Sequence, residues 1–184
     1  MSRVLVPLAQ GCEELEAITI TDLLVRAGID VVTAGLDDQP VEASRGMKLI
    51  PDTSLDKALQ QDYDMVVLPG GLPGADHLDN DSRIHQLISS MAENGRYVAA
   101  ICAAPKVLAR SGLLDGKRAT AYPGTLEKMA LSTTEIVSDA VVSDAQIITS
   151  RGPGTAMDFA LLLVEKLAGR DIRDNVEAGL VRTG

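Results

Sequence analysis

Tyr97-Val98-Ala99-Ala100-Ile101-Cys102-Ala103-Ala104-Pro105 is the stretch on which the fold turns. Its first five residues follow the breaker Asn94-Gly95-Arg96 and are apolar and β-prone, whereas Ala103 to Ala109 favour helix, with Pro105 tolerated in a first turn. The stretch predicts a buried strand, a sharp turn and a helix, with Cys102 at the join. A nucleophile elbow has this form, because the reactive atom must stand at the carboxyl end of a sheet on a bend that demands small neighbours; Ala100 and Ala104 supply them. A thiol at a helix N-terminus also meets unpaired N–H groups and the positive end of the dipole, which predicts a pKa below the ordinary value of about 8.5. A small buried apolar cysteine closing a strand fits the same residues, and on this stretch alone both readings stand.

Outward from the elbow, the chain alternates strands and helices. Val4 to Leu8 reads as a first strand, and Gly11-Cys12-Glu13-Glu14 opens a helix whose apolar positions Leu15, Ile18, Leu23, Leu24 and Val25 are expected on its core face until Gly28 stops it. Glu13, Glu14 and Glu16 crowd the first turn, where the helix dipole favours acids; the sequence marks none of them as catalytic. Asp30 to Gly35 is the next strand. Val41 to Ile50, broken at Arg45-Gly46 and ended by Pro51, reads as a small hairpin, followed by a short helix from Ser54 to Gln60. Met65 to Leu68 is a continuous apolar strand closing on Pro69-Gly70-Gly71, a turn that can present N–H groups to an oxyanion or simply connect strand to helix. Ser82 to Asn94 is an amphipathic helix. Lys117 to Ala121, Val141 to Ser143 and Ile147 to Thr149 supply further strands, and Ser150-Arg151-Gly152-Pro153-Gly154 introduces a last long helix from Thr155 to Leu167. Strands alternating with helices predict an α/β fold: a doubly wound, mostly parallel, flavodoxin-like layer sandwich, with residues 1–184 as a single domain.

Composition narrows the function. The formal net charge of −9 disfavours general nucleic-acid binding and anionic membrane surfaces. Two cysteines, Cys12 and Cys102, are too few for a disulfide framework, and Met1 to Leu8 lacks the extended apolar run of a signal peptide or membrane span, so a reducing cytoplasmic setting is expected. Neither G-x-G-x-x-G after the first strand nor G-x-x-x-x-G-K is present, which disfavours dinucleotide and P-loop sites, and His77 and His85 do not make a metal-ligand set.

Four motifs carry a family likeness. Glu13-Glu14-Leu15-Glu16, Val67-Leu68-Pro69-Gly70-Gly71, Ala100 to Pro105 and Ser150-Arg151-Gly152-Pro153-Gly154-Thr155 resemble the acidic turn, glycine turn, elbow and late loop of the ThiJ/PfpI superfamily. Within it, the chain looks most like the Parkinson-disease-protein-like deglycase branch with its YajL-like bacterial members. The resemblance implies Cys102 as the reactive cysteine, Glu16 as the carboxyl that meets it, and Gly71 and Ala103 as backbone donors of an oxyanion pocket beside Gly70. It also implies that Arg45 lies near the site of a homodimer, that Ser150 and Tyr122 line the site, and that no cofactor is needed.

Two departures from the family pattern bear on chemistry. The peptidase-like branch carries histidine directly after its cysteine, where this chain has Ala103, so peptidase activity is not expected. Animal deglycases place a histidine where Tyr122 stands, and a phenol with an ordinary pKa near 10 is a poor base at neutral pH, which leaves proton transfer to Glu16. The implied activity is that of a glutathione-independent glyoxalase or deglycase: Cys102 forms a hemithioacetal with an α-oxoaldehyde, free or as a glycated amine or thiol. A stress sensor or redox-regulated chaperone that uses oxidation of Cys102 is the alternative. Cys12, four residues before Glu16, is expected either to border the same pocket or to fill a small-residue position at the helix start.

Overall fold

The computed structural model describes residues 1–182. Along the chain, β1 (Arg3–Leu8) leads to α1 (Glu14–Arg26), β2 (Asp30–Gly35), the two-residue strands β3 (Val41–Glu42), β4 (Lys48–Leu49) and β5 (Thr53–Ser54), and the one-turn α2 (Leu55–Ala58). After β6 (Met65–Leu68) come α3 (Gly74–Asp79) and α4 (Ser82–Glu93), then β7 (Tyr97–Ile101) and α5 (Pro105–Arg110). The remainder is β8 (Arg118–Ala119), β9 (Glu135–Ile136), β10 (Val141–Asp144), β11 (Ile147–Ser150), α6 (Ala156–Ala168) and α7 (Arg170–Gly179).

Seven strands form one sheet in the order β10-β11-β7-β6-β1-β2-β5, parallel except for the edge pair β10 and β11. Successive residues of a strand point to opposite faces, and the core divides accordingly. Val4, Val6, Met65, Val67, Ala99 and Ile101 face α1 and α6, whereas Leu5, Val66, Leu68, Val98 and Ala100 face α2 to α5. The expected doubly wound α/β sandwich is therefore the observed one. Parallel strands buried on both faces read as unbroken apolar runs, which is why these strands were legible.

Local differences have physical causes. The expected hairpin is β3 paired with β4, outside the main sheet. The helix expected from Ser54 shrinks to a single turn because Thr53 and Ser54 pair with Ala34 and Gly35 as an edge strand. Lys117 to Ala121 contributes only β8, in a separate parallel pair with β9, tied to β11 where Thr120 N–H donates to Thr149 Oγ1 at 3.0 Å. In α1 the core face was misread. Leu23 and Leu24 are buried as expected, but Leu15, Ile18 and Val25 are 50%, 42% and 59% exposed, and Ala17 and Ile20 are buried in their place. The buried set forms one stripe at i, i+3, i+6 and i+7, and the exposed three fall on the neighbouring stripe. Unexpectedly, α7 follows α6; its charges pair along the helix, as Arg173 does with Glu177 at 2.8 Å, and only Val176 is buried. Among the described residues no helix is long and apolar enough to cross a membrane.

Candidate active site

Three loops at the carboxyl ends of β1, β6 and β7 meet at Cys102. The strand-turn-helix form of the elbow is present, although α5 begins at Pro105 and not at Ala103. Cys102 has φ +64°, in the left-handed region that costs an L-residue about 1–2 kcal/mol. Both of its backbone groups are pinned: its N–H donates to Ser150 O at 2.9 Å, and its carbonyl accepts from Tyr122 N–H at 2.8 Å. A non-glycine residue held in this conformation by neighbouring strands is a mark of functional sites. Ala100 and Ala104 are wholly buried, as the tight bend requires.

The glycine turn closes over the thiol. A Cβ on Gly70 would lie 2.6 Å from Cys102 Cβ and 2.9 Å from Glu16 Oε2, so only glycine fits between the two side chains. Gly71 has φ +86°, and a Cβ there would lie 2.4 Å from Glu13 N. This backbone-to-backbone packing brings the start of α1, and with it Glu16, under the elbow; Glu13 N–H donates to Gly70 O at 2.9 Å.

Glu16 is fully buried. Its Oε2 accepts the Gly70 N–H at 2.8 Å, while Oε1 has no hydrogen-bond partner among the described residues. Burial pushes its pKa from 4.5 up to about 7, against the lowering effect of the Gly70 N–H and of the Cys102 thiol. The carboxyl is thus poised to hold or release a proton near neutrality.

The thiol corrects an expectation. Burial and the Glu16 carboxylate push Cys102 up to about 12, not below its ordinary value, although the backbone N–H groups of Gly71 and Ala103 pull the other way. The expected helix-end effect is weak because α5 has only six residues and starts three positions beyond the cysteine. Carboxyl and thiol titrate as a unit, and between the two ionisations they share one proton. Protonating Glu16 removes the charge that most opposes a thiolate at Cys102.

The other expected residues divide. Ser150 acts through its carbonyl on the Cys102 N–H; its hydroxyl donates to Ala140 O at 2.9 Å and pairs with Thr155 Oγ1, away from the sulfur. Tyr122 is half exposed, with its ring against Gly152 and its N–H on the elbow. Arg45 is exposed, and its backbone N–H donates to Glu14 Oε1 at 3.0 Å. Cys12 is wholly buried, with its N–H on Ala9 O and its carbonyl on Ser44 N–H; burial, then Glu14, push its thiol up to about 11. Both cysteines are free thiols. Neither histidine serves the elbow. His85 is held by Ser111 Oγ at 2.6 Å and Asp79 O at 2.8 Å, and His77 lines a separate cleft with Asn80 and Asp81.

Sequence reasoning missed two features. Glu13 and Glu14 are buried, not solvated dipole partners. Glu14 accepts N–H groups of Arg45 and Met47 and the Ser44 hydroxyl; burial raises its pKa, but these bonds outweigh it and leave the carboxyl below its ordinary value. Gly11 and Gly74 pack against Pro73 and the Cys12 backbone so closely that a Cβ would come within 2.4 and 2.5 Å. Only their spacing from the glycine turn could have signalled this.

The chain is similar to known proteins over nearly its whole length. Residues 2–166 match the model of the DJ-1/PfpI family. The chain is 44% identical over 178 residues to the protein dj-1beta of Drosophila melanogaster, covering 96% of this chain and 95% of that protein. It superposes on the crystal structure of Drosophila melanogaster DJ-1beta with a TM-score of 0.94, covering 100% of both chains. The glutathione-independent glyoxalase DJR-1.2 of Caenorhabditis elegans is 36% identical over 160 residues, covering 87% of this chain and 85% of that protein. With the family's fold around a buried glutamate, a glycine turn and a strained cysteine, this chain belongs to the DJ-1/PfpI family.

Proposed function

We propose that the protein is a cysteine-dependent, cofactor-free enzyme that converts α-oxoaldehydes, free or as early adducts on amines and thiols, to 2-hydroxy acids without glutathione. The observation that carries this reading is the buried Glu16 carboxyl, raised to about 7 beside Cys102. A general acid-base works best with a pKa near the working pH. Its resemblance to a glutathione-independent glyoxalase supports the same chemistry.

In this mechanism the Cys102 sulfur adds to the aldehyde carbon while Glu16 holds the pair's proton. The new oxyanion takes up N–H bonds from Gly71 and Ala103 as negative charge leaves the sulfur. Glu16 gives its proton to that oxygen, removes the hydrogen on the former aldehyde carbon as a proton, and returns it to the adjacent carbon, while the hydroxyl proton passes to the former ketone oxygen and leaves a thioester carbonyl. The aldehyde carbon is thereby oxidised and the ketone carbon reduced within one molecule. Water then cleaves the resulting thioester to the 2-hydroxy acid and regenerates the thiol. Lactate formation from methylglyoxal without glutathione is the test; it should be absent in Cys102→Ser and fall at least about a hundredfold in Glu16→Gln. Wild-type turnover in either variant overturns the mechanism.

The same donors favour a second reading, oxidation sensing, because N–H groups aimed at the sulfur and a protonated Glu16 would also hold a Cys102 sulfinate. Mass spectrometry after mild peroxide should find sulfinate on Cys102 and none on buried Cys12. A homodimer is supported by exposed Leu15, Ile18 and Val25 on α1, with exposed Met47 in the turn that Glu14 holds against that helix. Ile18→Glu should shift the protein to monomer in light scattering, and an unchanged mass would remove this interface.

A further inference from the structure

Thr155 is the N-cap residue of α6, yet its side chain makes no capping hydrogen bond to that helix. Its hydroxyl is engaged in the late loop instead. Thr155 Oγ1 accepts the Gly152 N–H at 3.1 Å and lies 2.7 Å from Ser150 Oγ. Each hydroxyl has one proton to donate. Ser150 donates its proton to Ala140 O at 2.9 Å, so the short contact between the two hydroxyls takes the proton of Thr155. Gly152 O, 2.9 Å from Thr155 Oγ1, is already served by the Thr155 N–H at 2.9 Å. The bonds then run one way, from Gly152 N–H through Thr155 and Ser150 to Ala140 O, and a chain so aligned strengthens each of its members.

This chain supports both groups that fix Cys102. Ser150 O, which accepts the Cys102 N–H, and the Arg151 N–H, which donates to Ala140 O at 3.1 Å, belong to one planar peptide. Ala140 O therefore holds that peptide twice, through the Arg151 N–H and through the Ser150 hydroxyl. On the other side, a Cβ on Gly152 would lie 3.3 Å from Tyr122 Cδ2, so the loop backbone packs against the ring of the residue whose N–H donates to the Cys102 carbonyl. Both pins of the strained φ of +64° thus rest on the loop that Thr155 closes.

We infer that Thr155 is a positioning residue, whose hydroxyl closes the late loop and so holds Cys102 in the left-handed conformation that keeps its side chain beside Glu16. Without the Thr155 hydroxyl, Ser150 O and the Tyr122 ring shift, and the backbone at Cys102 relaxes toward an unstrained φ. The thiol then leaves the carboxyl with which it titrates. Thr155 acts through Ser150 and Gly152 and exchanges no proton with substrate. Its effect on turnover rests on the function proposed above; its effect on the thiol does not.

Thr155→Val keeps the shape of the side chain and removes the hydroxyl, whereas Thr155→Ser keeps the hydroxyl. The first readout is the rate of Cys102 alkylation by iodoacetamide against pH, in folded protein below its unfolding temperature. The acceleration through about pH 7 that marks the coupling to Glu16 should shrink in Thr155→Val to less than about half its wild-type size, and Thr155→Ser should restore it. The second readout is methylglyoxal turnover. In Thr155→Val, kcat should fall about tenfold or more with KM little changed, because a shift of about 1 Å in the attacking atom spoils its near-attack geometry. Ser150→Ala breaks the same chain one bond further on without touching the start of α6, and should move both readouts in the same direction even if Thr155→Val does not fold. A residue that only stabilised α6 would lower the unfolding temperature and leave the pH profile of the folded protein alone. A wild-type profile in folded Thr155→Val or in Ser150→Ala, or a loss that Thr155→Ser shares, would overturn the assignment. A wild type without the acceleration has no coupling for Thr155 to hold, which overturns it as well. Missing lactate formation in the wild type counts against the enzymatic reading alone and leaves the alkylation test standing.

Discussion

Replacing Glu16 by glutamine should change how stability depends on pH, and the size of the change follows from the burial of the carboxyl. Glu16 has its pKa raised from 4.5 to about 7, chiefly by burial. A raised acid favours its protonated form in the folded state, so its share of stability is fully present below the unfolded value of 4.5. That share is lost as pH rises through about 7. At about 1.4 kcal/mol per tenfold, the whole loss is about 3 kcal/mol, of which about 2 kcal/mol falls between about pH 5.5 and about pH 8.5. The thiols contribute little in this window, because burial pushes Cys12 to about 11 and Cys102 to about 12, so the pair of Glu16 and Cys102 loses only its first proton within it. Glutamine keeps an oxygen for the Gly70 N–H, now at 2.8 Å from Oε2, but has no proton to lose. Urea unfolding of both proteins at the two pH values is the assay. The wild type should lose about 2 kcal/mol more than Glu16→Gln on going to the higher pH. Equal losses would show that Glu16 titrates as an ordinary exposed acid, and the argument for its catalytic poise would fall with it.

Two further outcomes follow from the same geometry. Alkylation of Cys102 by iodoacetamide should accelerate through about pH 7 as the pair loses its first proton, and the inflection should disappear in Glu16→Gln, leaving only the rise at the thiol's own ionisation. An inflection that persists in the variant would assign it to another group. Gly70→Ala places a methyl 2.6 Å from Cys102 Cβ and 2.9 Å from Ile101 O, so it should destabilise the fold by about 1–3 kcal/mol and slow methylglyoxal turnover, both measurable by thermal unfolding and lactate assay. An alanine variant with wild-type stability would mean that the turn does not grip the thiol.

The sequence by itself determined the layer architecture, because strands buried on both faces must be apolar throughout and the breaks between them fall at glycine and proline. It also determined the elbow, since Ala100 and Ala104 around Cys102 are small for a steric reason that is local to the bend. Family motifs singled out Glu16, but nothing local distinguishes it from Glu13 and Glu14, which crowd the same helical turn. Only the packing of the Gly70-Gly71 turn against Gly11, Cys12 and Glu13 carries Glu16 beneath Cys102 and strips it of water. Tertiary structure also reversed two local expectations. The face of α1 was decided by where α6 and the sheet lie, not by which residues are most apolar, so Leu15, Ile18 and Val25 were left exposed. The Cys102 thiol follows burial and a neighbouring carboxylate, not the dipole of a six-residue helix, because desolvation and charge act over distances that the chain closes only when it folds.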